Sequence, residues 1–548
     1  MMNKRIYQIE KMGEDEKFFT ESNALKYIEG KKNKTFVGLD KLRNYLDFIN
    51  RPDEFMEFIH IAGTNGKGST STYLASILAM SDKKVGLFTS PYFESFGERI
   101  RIIDGSEACL NWKNNKKEGE INTKNLSDIL NYIHKTSAEL ADFSIDDLSH
   151  FELLVCIALI HFALSSVDVV VFETGLGGRL DATNVIRRAE LTIFTSISYD
   201  HCDRLGNTIA EICAEKLAIC KSGTKIVAYD PNDSLISEED AETELNLIRA
   251  KAKELKIPLR LVSSTDINCV SKGPDGQKFK LKFYPNQLHT SAIADYQLQN
   301  IALAVAAALA YDDNLNNQRA NLSEDPVVRA LAIVKMYGRF EKLNTEAEVI
   351  IDAAHNPQAI SSLLNSISTT YRNRPIYFWY SSLADKDYRR MLSLIINDKR
   401  LNLLKLVLSE IDYPRACKLE ELFKVANEIK DESNFYKADS CESKLSSIDK
   451  NSTHLTDEDS KLPKSLDANK QKDDMDSIFR ILDIDSEDAL RSDVAKVGES
   501  NTLEIESIHI DSENEVNELL LEVKSKRAIL IVSGSFYLIS EFKRRYDI

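Results

Sequence analysis

The sequence predicts an α/β protein with two domains, each built around a mostly parallel sheet. Three observations favour this fold class. Short β-type runs alternate with helical patterns from about residue 55 to 320, a glycine-rich turn joins the first of these runs to the first helix, and a second alternating series begins near residue 345. In addition, 548 residues exceed what one hydrophobic core usually serves.

The first series predicts an N-terminal domain over residues 1–320, with an N-terminal extension and a short insert at 105–120. Its β-type runs are FIHIAG, KVGLF, VDVVVFETG, LTIFTSIS and TKIVAY. Its helical patterns cover 67–80, 151–164 and 208–220. The apolar run from Leu153 to Leu164 is too short to span a membrane and predicts a buried helix.

The second series predicts a smaller, Rossmann-like domain over residues 325–548, after a polar linker at 311–326. Its β-type runs are EVIID, PIYFWY, LLKLVLSE and RAILIVS. Residues 431–505 differ in composition, with 19 acidic and 10 basic residues and few aromatic ones, which predicts a disordered acidic insert. The alternative is a docking segment around DSIFRILDI.

Composition excludes some classes of protein. A net charge of −16 argues against a general nucleic-acid binder, because a phosphate backbone requires a positive surface. No apolar run approaches membrane-spanning length, so no membrane partner is expected. The eight cysteines include no CxxC pair, and the N-terminus mixes acids with bases. We therefore predict a cytoplasmic location, with a mitochondrial pool as the open alternative.

The stretch AGTNGKGST, residues 62–70, is suited to bind phosphate. Its glycines allow a close backbone approach, and the start of the following helix offers unpaired N–H groups. A lysine and a hydroxyl can then reach the terminal phosphates and their metal. The predicted nucleotide ligands are Thr64, Asn65, Gly66, Lys67, Gly68 and Ser69. The alternative is a glycine-rich turn with an incidental lysine, because Ile61 and Gly68 depart from the common P-loop pattern.

The longer string resembles the Mur-ligase superfamily, and within it the folylpolyglutamate synthase and dihydrofolate synthase family. Further blocks follow in the family's order: TSPYFESFGERIRI, FETGLGGRLDATNVI, SYDHCDRLGNTIAEICAEKLAI, DYQLQN, YGRFE, DAAHNP, LADKDYRRML, YPRA and GSFYL. The resemblance implies an N-terminal Mur-ligase-type domain that binds ATP and a C-terminal ligase domain. It also implies a bifunctional enzyme that joins L-glutamate to pterin-linked acids through an acyl phosphate.

A bound triphosphate requires a divalent cation, and Mg²⁺ prefers hard oxygen ligands. Glu173 ends a β-type run, where open α/β sheets place their ligands. His201 follows another such run, although imidazole is an unusual ligand for Mg²⁺. The resemblance implies that Ser90, Glu173 and His201 bind the metal. It further implies that Lys216, otherwise an ordinary helix lysine, is carbamylated and supplies an anionic oxygen.

The C-terminal half offers further nucleotide ligands. Asp352 can accept a ribose hydroxyl, Arg339 can bind phosphate with its guanidinium group, and Asn300 can pair with an adenine edge. Helix capping and a surface ion pair are the structural alternatives. The resemblance assigns these three residues to ATP, places His355 near the nucleotide and implies a cleft that closes between the domains. The predicted catalytic residues are Lys67, Lys216 and His355.

The acceptor is indicated by GGRLDATN, which places Asp181 eight residues after Glu173, as in family members that use dihydropteroate. A carboxylate can pair with the donor edge of a pterin, and the alternative is a helix N-cap. The implied pterin and folate site comprises Ser149, Phe151, Glu152, Leu180, Asp181 and Ala182. The implied partners are the small molecules ATP, L-glutamate, dihydropteroate and folates. The resemblance also implies that the enzyme is a monomer.

Two residues depart from the family pattern. Tyr92 follows Ser90-Pro91 where histidine is usual, and Tyr337 precedes Gly338 where proline is usual. Neither departure removes a phosphate or metal ligand, so they bear on the shape of the folate pocket. Three alternatives stay open: one of the two ligase activities alone, a Mur-type ligase acting on cell-wall peptides, and a non-catalytic nucleotide-binding interaction protein.

Overall fold

A computed structural model describes residues 17–31, 38–141, 143–312, 315, 324–433 and 503–546. Its strands are β1 (Glu57–Ala62), β2 (Lys84–Phe88), β3 (Ile100–Asp104), β4 (Val169–Glu173), β5 (Leu191–Phe194), β6 (Lys225–Tyr229), β7 (Leu259–Val262), β8 (Ile267–Gly273), β9 (Gly276–Leu281), β10 (Leu288–Thr290), β11 (Glu341–Lys342), β12 (Glu348–Ile351), β13 (Pro375–Tyr380), β14 (Asn402–Leu408), β15 (Glu504–Ser507) and β16 (Ile529–Ser533).

The helices of the same ranges are α1 (Glu21–Gly30), α2 (Asp40–Phe48), α3 (Lys67–Met80), α4 (Gly105–Trp112), α5 (Thr123–Ser137), α6 (His150–Leu164), α7 (Cys202–Leu205), α8 (Ile209–Leu217), α9 (Glu238–Leu255), α10 (Asp295–Tyr311), α11 (Pro326–Ile333), α12 (Pro357–Thr370), α13 (Tyr388–Asn397), α14 (419–433), α15 (Glu513–Ser525) and α16 (Phe536–Tyr546). Within the described ranges, no helix has both the length and the apolar character needed to cross a bilayer.

The N-terminal domain contains a seven-stranded sheet in the order β3-β2-β4-β1-β5-β6-β7. Every neighbouring pair is parallel except β2 and β3. Strands β1, β4 and β5 lie inside the sheet and are buried on both faces, which explains why their sequences are continuous apolar runs. The predicted α/β class with a mostly parallel sheet is confirmed, and the carboxyl ends of β1 and β4 lie side by side.

The boundary between the two domains lies later than the sequence indicates. Helices α10 and α11 pack against α3, and the antiparallel sheet β10-β9-β8 joins the same core. In α11, the side chains of Val327, Ala330 and Leu331 are buried in that N-terminal core. The predicted division at residues 320–325 is therefore too early, because α11 belongs to the N-terminal domain by its packing.

The C-terminal domain contains a six-stranded sheet in the order β11-β12-β16-β13-β14-β15. All neighbouring strands are parallel except β11 and β12. The two faces of this sheet are covered by separate apolar clusters, as expected for an α/β layer structure. After β15 the chain continues through α15 to β16, which lies between β12 and β13 near the middle of the sheet.

The structure describes the first predicted insert and narrows the second. Residues 105–120 contain α4 and a loop that is held by Arg101, whose guanidinium donates to the carbonyl oxygens of Lys116 and Glu118 and pairs with Glu120 at 3.0 Å. The predicted acidic insert at 431–505 is too wide at both ends, because α14 extends to residue 433 and β15 begins at Glu504. The rest of that prediction lies outside the described residues.

Candidate active site

The phosphate loop connects β1 to α3 and approaches its neighbours very closely. Gly63 and Gly66 have φ values of +152° and +88°. A Cβ atom at Gly63 would lie 1.8 Å from Thr195 Oγ1, and one at Gly66 would lie 2.3 Å from Asn300 Oδ1. Only glycine fits these two positions. The loop is therefore fitted against β5 on one side and α10 on the other.

Lys67 is the first residue of α3 and folds back over the loop. Its Nζ donates to the carbonyl oxygens of Gly63 and Thr64, each at 3.2 Å. Burial lowers the pKa of Lys67, while the nearby carboxylates of Glu173 and Asp200 oppose that shift. A cationic amine held at the mouth of a glycine loop can bind the terminal phosphates of a nucleotide.

Glu173 ends β4 beside the loop, with 3% of its surface exposed. Its Oε2 accepts a hydrogen bond from the backbone N–H of Ser90 at 3.1 Å, and a Cβ atom at Gly68 would lie 3.5 Å from that oxygen. Burial raises the pKa of Glu173 to about 7, although Lys67 opposes the shift. A divalent cation would compensate the buried carboxylate, so Glu173 and Ser90 fit a magnesium site.

His201 is the third predicted metal ligand and lies between the domains. It has a left-handed backbone with φ of 52°, and its Nε2 lies 3.3 Å from the Nζ of Lys386. Among the described residues, no group of three or more His, Cys, Asp and Glu side chains is placed to hold a metal.

A buried ion pair that the sequence did not reveal joins the two domains. Asp200 of the N-terminal domain accepts from Lys386 Nζ at 2.6 Å, and the two side chains are 9% and 8% exposed. Asp200 also lies 3.7 Å from His355 Nε2 and accepts from the side-chain amide of Asn356 at 3.2 Å. Burial alone would raise the pKa of Asp200, but His355 and Lys386 outweigh it and hold that pKa below its usual value.

A second contact between the domains starts in the phosphate loop. The side-chain amide of Asn65 donates to Gln358 Oε1 at 2.6 Å, and its carbonyl oxygen accepts from Asn356 at 2.9 Å. Asn356 is the N-cap of α12 and also accepts from the backbone N–H of Ala359. The beginning of α12 is thereby attached to the loop that would hold the phosphates.

Lys216 lies in α8 and is 3% exposed, not on the solvated face that a lone helix lysine would suggest. Its Nζ donates to the carbonyl oxygen of Gly63 at 2.8 Å. Burial, followed by the positive charge of Lys67, lowers the pKa of Lys216 to about 7. A neutral amine is therefore present near the phosphate loop at physiological pH.

The candidates Asp352, Asn300 and His355 have different surroundings, and Asn300 belongs to the N-terminal domain through α10. Asp352 is buried, and its carboxylate accepts from Tyr296 and from the backbone N–H groups of Phe340 and Ala354, so it organises the chain after β12. Asn300 donates to Gln297 Oε1 at 3.1 Å in the first turns of α10. His355 donates through Nδ1 to the carbonyl oxygen of Ala353.

The predicted nucleotide, metal and catalytic residues nevertheless meet in one place. A cavity of about 330 Å³ between the domains is lined by all of them: Thr64, Asn65, Gly66, Lys67, Gly68, Ser69, Ser90, Glu173, His201, Lys216, Asn300, Arg339, Asp352 and His355. We call this the nucleotide cavity. Side chains from both domains contribute, as expected for a site that forms between two lobes.

A larger cavity of about 1100 Å³ is lined by all six predicted pterin residues: Ser149, Phe151, Glu152, Leu180, Asp181 and Ala182. We call it the acceptor cavity. Ser149 and Glu152 form a capping box at the start of α6. Asp181 Oδ1 accepts from the backbone N–H of Thr183 at 3.0 Å, and its Oδ2 accepts from Leu176 N–H at 2.8 Å. These three polar residues hold the wall of the cavity in place.

The two cavities share a boundary. Ser90 and His201 line both of them, together with Pro91, Gly175 and Leu176. The opposite wall of the acceptor cavity comes from the C-terminal domain, with Tyr413, Arg415, Phe536 and Tyr537. Phe93 stacks on Phe536 with ring centroids 4.0 Å apart, which closes the two domains against each other here. A group in the acceptor cavity can therefore meet a terminal phosphate at Ser90.

Sequence reasoning missed Asp200, Lys386, Asn356 and Gln358. Asp200 lies in the block SYDH and Lys386 in the block LADKD, so the sequence contains both charged residues without indicating what they do. The two residues are 186 positions apart in the sequence and meet only when the two domains pack together.

The similarity to known proteins agrees with this site. Residues 152–308 match the model of the Mur ligase middle domain. The dihydrofolate synthase/folylpolyglutamate synthase of Bacillus subtilis is 31% identical over 425 residues, which cover 76% of this chain and 91% of the relative. The dihydrofolate synthetase of Saccharomyces cerevisiae is 29% identical, over 66% of this chain and 79% of the relative. Escherichia coli FolC, solved with DHPP and ADP, has a similar fold, with a TM-score of 0.65 and 21% identity over 97% of this chain and 98% of that one.

A phosphate loop after a central strand, and a cavity lined from both α/β domains, define an ATP-dependent ligase of the Mur type. Within that class, the similarity to the Bacillus subtilis enzyme is extensive enough to be decisive. The chain belongs to the dihydrofolate synthase/folylpolyglutamate synthase family.

The Asp200–Lys386 pair yields a stability prediction. Asp200→Asn should lower the free energy of unfolding by roughly 3 kcal/mol, because Lys386 would keep a buried charge without a counter-ion. The double variant D200N/K386M should lose less than the sum of the two single variants. Urea unfolding measures all three. Lys418→Met, which breaks an exposed pair with Glu410, is the control and should leave the free energy of unfolding nearly unchanged. A loss for D200N no larger than the control's would contradict the assignment.

Proposed function

We propose that this enzyme joins L-glutamate to dihydropteroate and to folylpolyglutamates, using ATP and passing through an acyl phosphate. The observation that carries the proposal is the shared boundary of the nucleotide and acceptor cavities at Ser90 and His201. A carboxylate at the end of an acceptor would there meet the γ-phosphate of a nucleotide. The names of the family's members agree with this choice of substrates.

In the first step, an oxygen of the acceptor carboxylate attacks the γ-phosphorus and ADP leaves. Lys67 lies at the mouth of the loop and Arg339 lines the same cavity, so both can neutralise charge on the transferring group. Glu173, Ser90 and His201 would hold Mg²⁺, which supplies further positive charge to the phosphates when bound.

In the second step, the amine of L-glutamate attacks the acyl carbon, a tetrahedral intermediate forms, and the C–O bond to phosphate breaks. One proton leaves the amine, and the products are an amide and inorganic phosphate. Water would hydrolyse the acyl phosphate, so the site must be closed during the reaction. The Asn65–Gln358 and Asp200–Lys386 contacts and the Phe93–Phe536 stack support such a closed state.

Pterin recognition by Asp181 stays a prediction. Its carboxylate caps the short helix Ala182–Val185, which was the structural alternative. Burial raises the pKa of Asp181, although hydrogen bonds from Thr183 and Leu176 oppose the shift. A carboxylate has lone pairs beyond those that the cap uses, so a pterin could still donate to it. A monomeric state and a cytoplasmic location also stay predictions.

The proposed activity is tested by supplying the purified enzyme with Mg²⁺, ATP and L-glutamate, and with dihydropteroate or tetrahydrofolate in parallel. We expect ADP release and an added glutamate with both acceptors. Lys67→Met should lower the turnover at least about 100-fold, because it removes a cation from the transferring phosphate. Arg187→Gln, a change at an exposed residue that pairs with Asp47 and Glu54, should have no effect. If neither acceptor supported turnover, the proposal would be wrong.

The raised pKa of Glu173 predicts how Mg²⁺ binding depends on pH. Below pH 7 the carboxyl group is mostly protonated, so a proton competes with the metal; above pH 7 the carboxylate is free to bind. The apparent Mg²⁺ affinity should fall by up to about tenfold per pH unit below 7 and level off above it. Magnesium titrations of the ATP-consuming reaction between about pH 6 and pH 8 measure this. Glu173→Gln should bind weakly and without that dependence; an equal slope in E173Q would point to another group.

The carbamylation of Lys216 is supported by its lowered pKa. Carbon dioxide reacts with the neutral amine, which at a pKa of about 7 is abundant at pH 8 and scarce at pH 6. Incubation with ¹³C-labelled bicarbonate should therefore give a carbamate signal in the NMR spectrum that increases over this interval. Lys216→Met should lack that signal. An identical spectrum for wild type and variant would rule the modification out at this residue.

A further inference from the structure

Arg99 is a charged residue of the acceptor cavity that has no role in the proposed mechanism. It ends the short helix Phe96–Arg99, just before β3, in the block FGERIRI. Its side chain lines the acceptor cavity, which Ser90 and His201 also line. A cation in this wall faces the space that a substrate would occupy.

The guanidinium of Arg99 has no anionic partner within the described ranges. No carboxylate there forms an ion pair with it, and its Nε is buried without a hydrogen-bond partner. The adjacent Glu98 is occupied, because its carboxylate accepts from the backbone N–H groups of Phe93, Glu94 and Ser95. Burial accordingly lowers the pKa of Arg99, although arginine remains charged at physiological pH.

Other cations around the acceptor cavity are compensated. Each of four has a carboxylate oxygen within 4 Å: Lys31 with Asp146, Lys41 with Asp147, Arg204 with Asp203 and Arg415 with Asp385. Arg99 differs from these four because no carboxylate oxygen of the described residues lies within that distance of it. An unpaired guanidinium in a cavity wall carries an uncompensated charge that an incoming anion would relieve.

The surroundings of Arg99 also fix its direction. Its guanidinium carbon lies 4.9 Å from the ring centroid of Tyr92, whose hydroxyl donates to Glu29 at 3.1 Å. Tyr537 of the C-terminal domain and Glu173 are near enough to affect its charge. An arginine held on an aromatic ring keeps its N–H groups available for a carboxylate, which it can bind through two hydrogen bonds.

We propose that Arg99 binds a carboxylate of the incoming L-glutamate. This inference rests on the proposed function and names a residue that selects its amino-acid substrate. With dihydropteroate as acceptor, the only acceptor carboxylate is the one that becomes phosphorylated, and its attacking oxygen must keep a free lone pair. L-glutamate has two carboxylates, and neither reacts. The anion best suited to a permanent arginine pair is therefore the amino acid, not the acceptor.

The test uses the full-length enzyme with dihydropteroate, because the unreacted carboxylates then belong to L-glutamate alone. Arg99→Gln should raise the KM for L-glutamate at least about tenfold, since a charge-assisted pair is lost. The KM values for ATP and dihydropteroate should change less than about twofold. Arg99→Lys keeps the charge without the two-pronged geometry and should give an intermediate KM for L-glutamate.

Arg187→Gln serves as the control because it removes an arginine from the same domain at an exposed site. Thermal unfolding of each variant shows whether it folds. An unchanged KM for L-glutamate in folded Arg99→Gln would overturn the inference, as would an increase confined to the KM for dihydropteroate. If wild type fails with dihydropteroate, the proposed function is at fault; if wild type is active and the variant keeps its KM for L-glutamate, only the role of Arg99 is wrong.

Discussion

Two lysines, one buried and one partly buried, converge on one carbonyl oxygen, and the rest of the site depends on that arrangement. The Nζ atoms of Lys67 and Lys216 donate to the oxygen of Gly63 at 3.2 and 2.8 Å. Burial lowers the pKa values of both lysines, and the charge of Lys67 adds to the shift at Lys216. Their positions are imposed by a loop in which no residue larger than glycine fits beside Thr195. The loop thus holds two amines whose charged forms a bound polyphosphate would stabilise.

The negative groups of the cleft are arranged in a complementary way. Glu173 has a raised pKa because it is buried, whereas Asp200 has a lowered one because Lys386 and His355 surround it. The two carboxylates therefore suit different purposes. Asp200 is already paired and joins the domains, whereas Glu173 retains an unfavourable burial that a divalent cation can relieve. The division follows from the partners of each carboxylate.

Local patterns in the sequence predicted the parts of this structure that are themselves local. The helix over residues 67–80 has the predicted bounds, because the glycine loop before it and the apolar helix are contiguous in sequence. Glu173 was found because a strand ends there. Tertiary packing decided what was missed. Helix α11 reads as the start of the second domain, but its buried face packs on α3. Asp200 and Lys386 are each unremarkable polar residues until the domains bring them to 2.6 Å.

The capping residues of the acceptor cavity show why such residues are hard to assign from sequence. Ser149, Glu152 and Asp181 all line the cavity, and all three also complete helix N-termini. The capping and binding interpretations are compatible, because a cap that fixes a cavity wall also fixes the atoms that a ligand meets. A capping carboxylate is held rigidly, and this rigidity lowers the entropic cost of binding a ligand. The helix cap at Asp181 therefore does not compete with the predicted pterin recognition, which stays a prediction.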